Sequence, residues 1–158
     1  MAEAAEKLND EAIQWVTFRL GEETYGINVM QVQEVLRVSE IAPVPGAPDY
    51  VIGIINLRGN VVTVIDTRAR FGLPPKEPDD LSRIVIIESN DQVIGILVDS
   101  VAEVVELRSN EIEVAPNMGN EESARYIQGV SSRDGELLIL VDLNKLLTEE
   151  EMAEVGGL

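Results

Sequence analysis

Tyr50-Val-Ile-Gly-Ile-Ile-Asn-Leu-Arg-Gly-Asn-Val-Val-Thr-Val-Ile-Asp66 is the stretch on which the fold turns. Two apolar runs flank Arg58-Gly59-Asn60, a turn-forming break, so the stretch reads as a pair of strands. Its anchors, Tyr50-x-x-Gly53-x5-Gly59-x6-Asp66, return as Tyr126-x-x-Gly129-x5-Gly135-x6-Asp142, each displaced by 76 positions (126 − 50, 142 − 66). The apolar run 61–65 maps onto 137–141. Upstream the displacement is 69, which places Gly26, Val29, Val32, Glu34 and Val35 on Gly95, Val98, Val101, Glu103 and Val104. The second half therefore carries about seven extra residues, expected between Leu107 and Tyr126. A repeat of this length points to two similar β subdomains packed face to face.

Outward from that stretch the chain stays strand-like. Val and Ile make up roughly a fifth of it, the composition of half-buried sheets. Strand-length runs at 13–20, 24–29, 84–88, 93–98 and 111–114 are separated by turn residues. No strand alternates with a long helix, which disfavours a doubly wound sheet. Residues 29–38 carry Val29, Val32, Val35 and Leu36 at helical spacing and are read as about two turns of helix. Residues 100–107 fit helix or strand. Asp66 and Asp142 are expected to cap short turns, and Thr148-Glu-Glu-Glu151 to open a tail helix through a capping box.

Composition removes most chemistry. The 158 residues include no His and no Cys, so thiol nucleophiles, zinc fingers, iron–sulfur clusters and imidazole bases are excluded. With 29 Asp+Glu against 12 Lys+Arg the net charge is −17, which makes nucleic acid a poor partner. The acidic start lacks a signal peptide's apolar core, and no apolar run approaches a membrane span, so a cytoplasmic protein without membrane insertion is expected. Carboxylates are the catalytic stock that remains. Asp66, Asp99 and Asp142 each end an apolar strand and could bind Mg²⁺ or work as an acid–base pair. The competing reading is that they cap turns.

Charge is unevenly spread. Residues 25–76 hold Arg37, Arg58, Arg68, Arg70 and Lys76 against Glu34, Glu40, Asp49 and Asp66, a net +1 that leaves −18 for the rest. Such a segment suits docking to an acidic partner, or its arginines pair locally. Arg58, in a turn between apolar strands, projects outward, as a partner contact or as one half of an ion pair with Glu34. The stripes Val29/Val32/Val35 and Val98/Val101/Val104 either bury one another or leave a groove for an amphipathic helix.

Tyr25-Gly-Ile-Asn-Val-Met-Gln-Val-Gln-Glu34, Pro45-Gly-Ala-Pro-Asp-Tyr-Val-Ile-Gly53, Asn56-Leu-Arg-Gly59, Val64-Ile-Asp66 and Leu138-Ile-Leu-Val-Asp142 together resemble the CheW family of bacterial chemotaxis coupling proteins, over about residues 15–147. The resemblance implies a mainly β fold of two similar SH3-like five-stranded β-barrel subdomains on a shared core, with few short helices. It implies a scaffold without catalytic activity, cofactor or metal, joining the cytoplasmic tips of methyl-accepting chemoreceptors to the regulatory domain of the histidine kinase CheA. Carried onto matching positions, the receptor groove would use Val32, Val101 and Val104 with Gly53 nearby. Glu34 and Arg58 would sit on the partner surface, and Ile84 and Val85 would supply apolar strand contacts. The expected boundaries are an acidic tail over 1–11, a domain over 12–147 with halves near 12–74 and 80–147 that can exchange strands, and an acidic tail helix over 148–158.

Overall fold

Alternating burial and hairpin turns resolve the described residues into ten strands: β1 (Ala12–Leu20), β2 (Glu23–Asn28), β3 (Val32–Arg37), β4 (Val51–Leu57), β5 (Asn60–Asp66), β6 (Arg83–Ser89), β7 (Gln92–Val98), β8 (Ser100–Arg108), β9 (Ile127–Arg133) and β10 (Glu136–Val141). The structure is a computed structural model, and it describes residues 12–89, 91–113 and 126–156. The tail over 1–11, Val114 and the last two residues of the expected tail helix lie outside the described residues, as does most of the segment expected to lengthen the second half. Among the described residues, helical structure is limited to a turn at Thr67–Arg70, a helix at Glu149–Gly156 and three 3₁₀ turns.

The strands form two five-stranded sheets. Sheet one has the order β8-β1-β2-β10-β9 and sheet two the order β3-β6-β7-β5-β4. Each sheet takes a hairpin from one half of the chain and three strands from the other. The parallel pairs β2/β10 and β5/β7 join the two contributions. Both sheets close on themselves. The chain after β3 bridges to β4 through Ala42 and Ile54, with each N–H donating to the other's carbonyl at 2.9 and 2.8 Å. Glu113 and Val130 do the same after β8, at 2.8 and 3.0 Å.

This closure explains two repeat anchors. Gly53 and Gly129 lie where the closing segment crosses the barrel. A Cβ on Gly53 would collide with the Ala42 carbonyl, and one on Gly129 would meet the Glu113 carbonyl oxygen at 3.0 Å. Only glycine permits that approach. The other shared anchor is a two-residue type I′ hairpin turn. Arg58 and Gly59 have φ of 50° and 87°, and Asp134 and Gly135 have 49° and 81°.

Side chains sort into three apolar clusters. Trp15, Val105, Leu107, Leu138 and Leu140 fill sheet one, and Ile55, Val62, Val64, Ile84 and Ile86 fill sheet two. The largest cluster lies between the sheets, where Phe18, Tyr25, Phe71 and Tyr126 stack in succession with centroids 5.7, 5.1 and 5.3 Å apart. Burial of each aromatic ring there contributes about 2–3 kcal/mol. The C-terminal helix closes this core by burying Val155. Its capping box forms, Glu151 N–H donating to Thr148 Oγ1 and Thr148 N–H to Glu151 Oε1.

The helical reading of 29–38 is corrected. Val29–Gln31 is a single 3₁₀ turn and Val32–Arg37 is strand. The register of β3 on β6 shifts between Val32 and Glu34, and that of β1 on β8 between Val16 and Phe18, opposite Val104 and Val101. A bulge adds one residue to one strand, so side chains three apart in sequence reach the same face. Spacing of three was a bulged strand.

Gly53→Ala is expected to lower stability by about 1–3 kcal/mol through forced displacement of the closing segment. Urea denaturation followed by circular dichroism measures this, and an unchanged midpoint contradicts the closure.

Candidate functional site

Directly opposite residues in an antiparallel ladder share a face. Val32 lies opposite Ile87 and Val35 opposite Val85; in sheet one Val101 lies opposite Phe18 and Val104 opposite Val16. All four partners belong to the core between the sheets. The four valines are therefore the open margin of that core. Val32 and Val101 are half-buried against it, whereas Val35 is 41% and Val104 54% exposed. Met30, in the 3₁₀ turn that leads into β3, is 86% exposed. The result is an exposed apolar margin of the core, carried by equivalent residues of the two edge strands β3 and β8. Val35 belongs to the stripe Val29/Val32/Val35 read from the sequence, and the bulge returns it to the face of Val32; Met30 is not among the candidate residues.

A second surface lies on the seam of sheet two. β3 and β4 are opposite edges of that sheet, and its curl brings Glu34 to the β4–β5 turn. Arg58 Nη1 donates to Glu34 Oε1 at 3.2 Å, and Nη2 donates to Oε2. This bidentate bond holds the Glu34 carboxyl below the usual range. The Arg58 side chain stays 69% exposed. Beside it an open concavity of about 660 Å³ is lined by Ile41, Pro43, Ile54 and the exposed Val61, with Glu40 at its rim. The positions in sheet one that match Glu34 and Arg58 are Glu103 and Asp134, both acidic. The two seams, alike in backbone, are therefore opposite in electrostatic design.

Gly53, Ile84 and Val85 do not reach either surface. All three are buried, the two strand residues completely. Ile84 fills the interior of sheet two and Val85 the core between sheets. Direct contact with a partner is thereby corrected to support: these residues position β3 and β4, which carry the exposed ones.

Two of the five cations of residues 25–76, Arg68 and Arg70, face inward. Arg68 grips Asp99 through Nε and Nη2 at 2.9 and 2.7 Å, and Asp99 also accepts the Gly21 N–H at 2.7 Å. Arg70 holds Glu151 of the C-terminal helix through both Nη atoms and donates to the Tyr126 hydroxyl and the Leu146 carbonyl. Lys76 pairs with Asp79 at 3.2 Å. Asp66 and Asp142 accept the N–H groups of Ala69 and Asn144 as caps. The three strand-end carboxylates thus have separate structural partners. Among the described residues no group of three or more acidic side chains converges to hold a metal ion, and no helix is long and apolar enough to cross a membrane.

Comparison with known proteins fits this architecture. The family model described as CheW-like domain matches residues 14–151. The chain is 37% identical over 155 residues to the chemotaxis protein CheW of Treponema pallidum, covering 96% of this chain and 91% of that protein. It is 34% identical over 153 residues to the chemotaxis protein CheW of Klebsiella aerogenes, covering 96% and 92%. The crystal structure of the scaffolding protein TtCheW from Thermoanaerobacter tengcongensis superimposes with a TM-score of 0.79 at 34% identity, covering 86% of this chain and 92% of that one.

The Arg68–Asp99 bond generates a pH dependence. The Arg68 guanidinium, helped by the Gly21 N–H and opposed by burial, lowers the Asp99 pKa below its ordinary 3.8. A depressed carboxylate stabilises the fold fully above its unfolded value and loses that contribution as pH falls through the folded one. Asp99→Asn should cost about 1–3 kcal/mol at pH 7 and less at pH 2.5, below the ordinary carboxylate value, where the contribution is being lost. Urea denaturation at both pH values checks this, and an equal loss at each contradicts it.

Proposed function

The chain belongs to the CheW-like domain family, and from that premise we propose that it is a non-catalytic, cytoplasmic chemotaxis adaptor coupling chemoreceptor tips to the histidine kinase CheA. The observation that supports this reading is the exposed apolar margin of the core, which we read as a groove. Val32, Val35, Val101 and Val104 are core-facing residues left open at the margin of two otherwise closed sheets. A helical receptor tip would lay an apolar stripe there, the helix-in-groove mode of recognition.

The kinase's regulatory domain is assigned to the other surface, the seam of sheet two. An exposed bidentate arginine beside an apolar concavity has the makeup of an interface anchor. Glu34 keeps Arg58 in one orientation, so little side-chain entropy remains to be lost on docking. The matching seam of sheet one, with Glu103 and Asp134, would repel the same partner. Modest apolar contact with a few charges suits an assembly that exchanges its components.

A pair of variants separates the two surfaces. Val104→Asp should weaken binding of a purified receptor cytoplasmic fragment by about tenfold or more and leave kinase binding intact. Arg58→Glu, which sets two carboxylates against each other, should weaken binding of the kinase regulatory domain similarly with little change in melting temperature. Isothermal titration of each variant with each partner decides. Unchanged binding of Val104→Asp to the receptor fragment would remove the groove assignment.

A further inference from the structure

Arg37 is the last residue of β3 and Arg83 the first of β6, and the register sets them directly opposite one another. Like charges in that position destabilise a ladder. Acidic residues outnumber basic ones 29 to 12, yet neither arginine has an ion-pair partner among the described residues, where Arg58, Arg68, Arg70 and Lys76 each have one. Arg83 Nη1 donates to two backbone carbonyls, of Asp80 and Ser82, both at 2.8 Å. Arg37 is exposed and makes no side-chain hydrogen bond among the described residues.

Their place in the fold gives the pair a use. Arg37 follows Val35 by two residues and Arg83 precedes Val85 by two, so both stand on the groove face. Along β3 and β6 that face reads Val32 with Ile87, Val35 with Val85, then Arg37 with Arg83. The corresponding ladder in sheet one reads Val101 with Phe18, Val104 with Val16, then Glu106 with Gln14. Of these two matching ladder positions, the one in sheet two is cationic and the one in sheet one is not.

We propose that the Arg37–Arg83 pair is an anchor for a carboxylate of the partner helix that lies in the groove. The inference rests on the adaptor reading and adds to it the polarity of the occupant. One carboxylate placed between two guanidinium groups accepts charge-assisted bonds from both and removes their repulsion. The spacing fits a helix: two residues along a strand span about 7 Å, and one helical turn rises about 5.4 Å. An acid one turn away from an apolar residue seated on Val35 therefore reaches the pair. The anchor distinguishes the two sheets for the helix, since the matching ladder position of sheet one carries Glu106.

The test uses the full-length protein and a purified chemoreceptor cytoplasmic fragment, titrated at low and high salt. Arg37→Glu should weaken binding about tenfold or more at low salt and remove most of its salt dependence. The same substitution places a carboxylate opposite Arg83 and should raise the melting temperature by about 1–3 °C. Weaker binding by a more stable protein is a combination that simple structural damage does not produce. If Val104→Asp weakens binding and Arg37→Glu does not, the anchor is overturned and the groove reading stands. If the wild type fails to bind the fragment, both fall. A lowered melting temperature for Arg37→Glu would mean that the chain's own acids, such as those of residues 1–11, already neutralise the pair, and would also overturn the anchor.

Discussion

Exchange of strands between the two halves of the chain is the constraint on which the rest of the structure depends. Neither half completes a sheet: the β1–β2 hairpin needs β8, β9 and β10, and the β6–β7 hairpin needs β3, β4 and β5. The parallel pairs β2/β10 and β5/β7 can form only after the chain has crossed from one sheet to the other. The aromatic stack from Phe18 to Tyr126 then fills the space where the sheets face each other. A groove built on this junction inherits its rigidity, because its valines are edge residues of the same ladders that hold the core.

Strand β3 is where the two candidate surfaces meet. Val32, Val35 and Arg37 stand on the face shared with sheet one, while Glu34 and Leu36 lie opposite Ile86 and Ile84 and belong to the interior face of sheet two. One six-residue strand therefore contributes to the groove on one side and to the Arg58 seam on the other. The bulge makes this possible by returning Val32 and Val35 to a common face. If the two surfaces bind as proposed, a displacement of β3 by one partner would be felt at the site of the other.

Much of this was legible in the sequence. The repeat of Tyr, Gly, Gly and Asp anchors marked two equivalent barrels, and the two Gly anchors and the Asp anchor have a physical reason in closure, turn and cap. The Arg58–Glu34 pair was visible as an option because both residues sit in short, strongly typed segments. What was hidden depended on long-range pairing. Residues 29–38 look helical because a bulge mimics helical spacing. Ile84 and Val85 could not be sorted into surface or core, since both faces of β6 are buried. The arginines of 25–76 suggested one basic docking face, yet Arg68 and Arg70 reach acids 31 and 81 residues away and turn inward. Arg37, exposed and without an ion-pair partner among the described residues, is set beside Arg83 only by the register of β3 on β6.

The central claim is that one rigid body holds two partners at once through separate surfaces. Sedimentation of the protein mixed with a receptor cytoplasmic fragment and the regulatory domain of the kinase tests it most directly. The account predicts a single species containing all three components. Displacement of one partner by the other, with only binary complexes present at saturating concentrations, would contradict it.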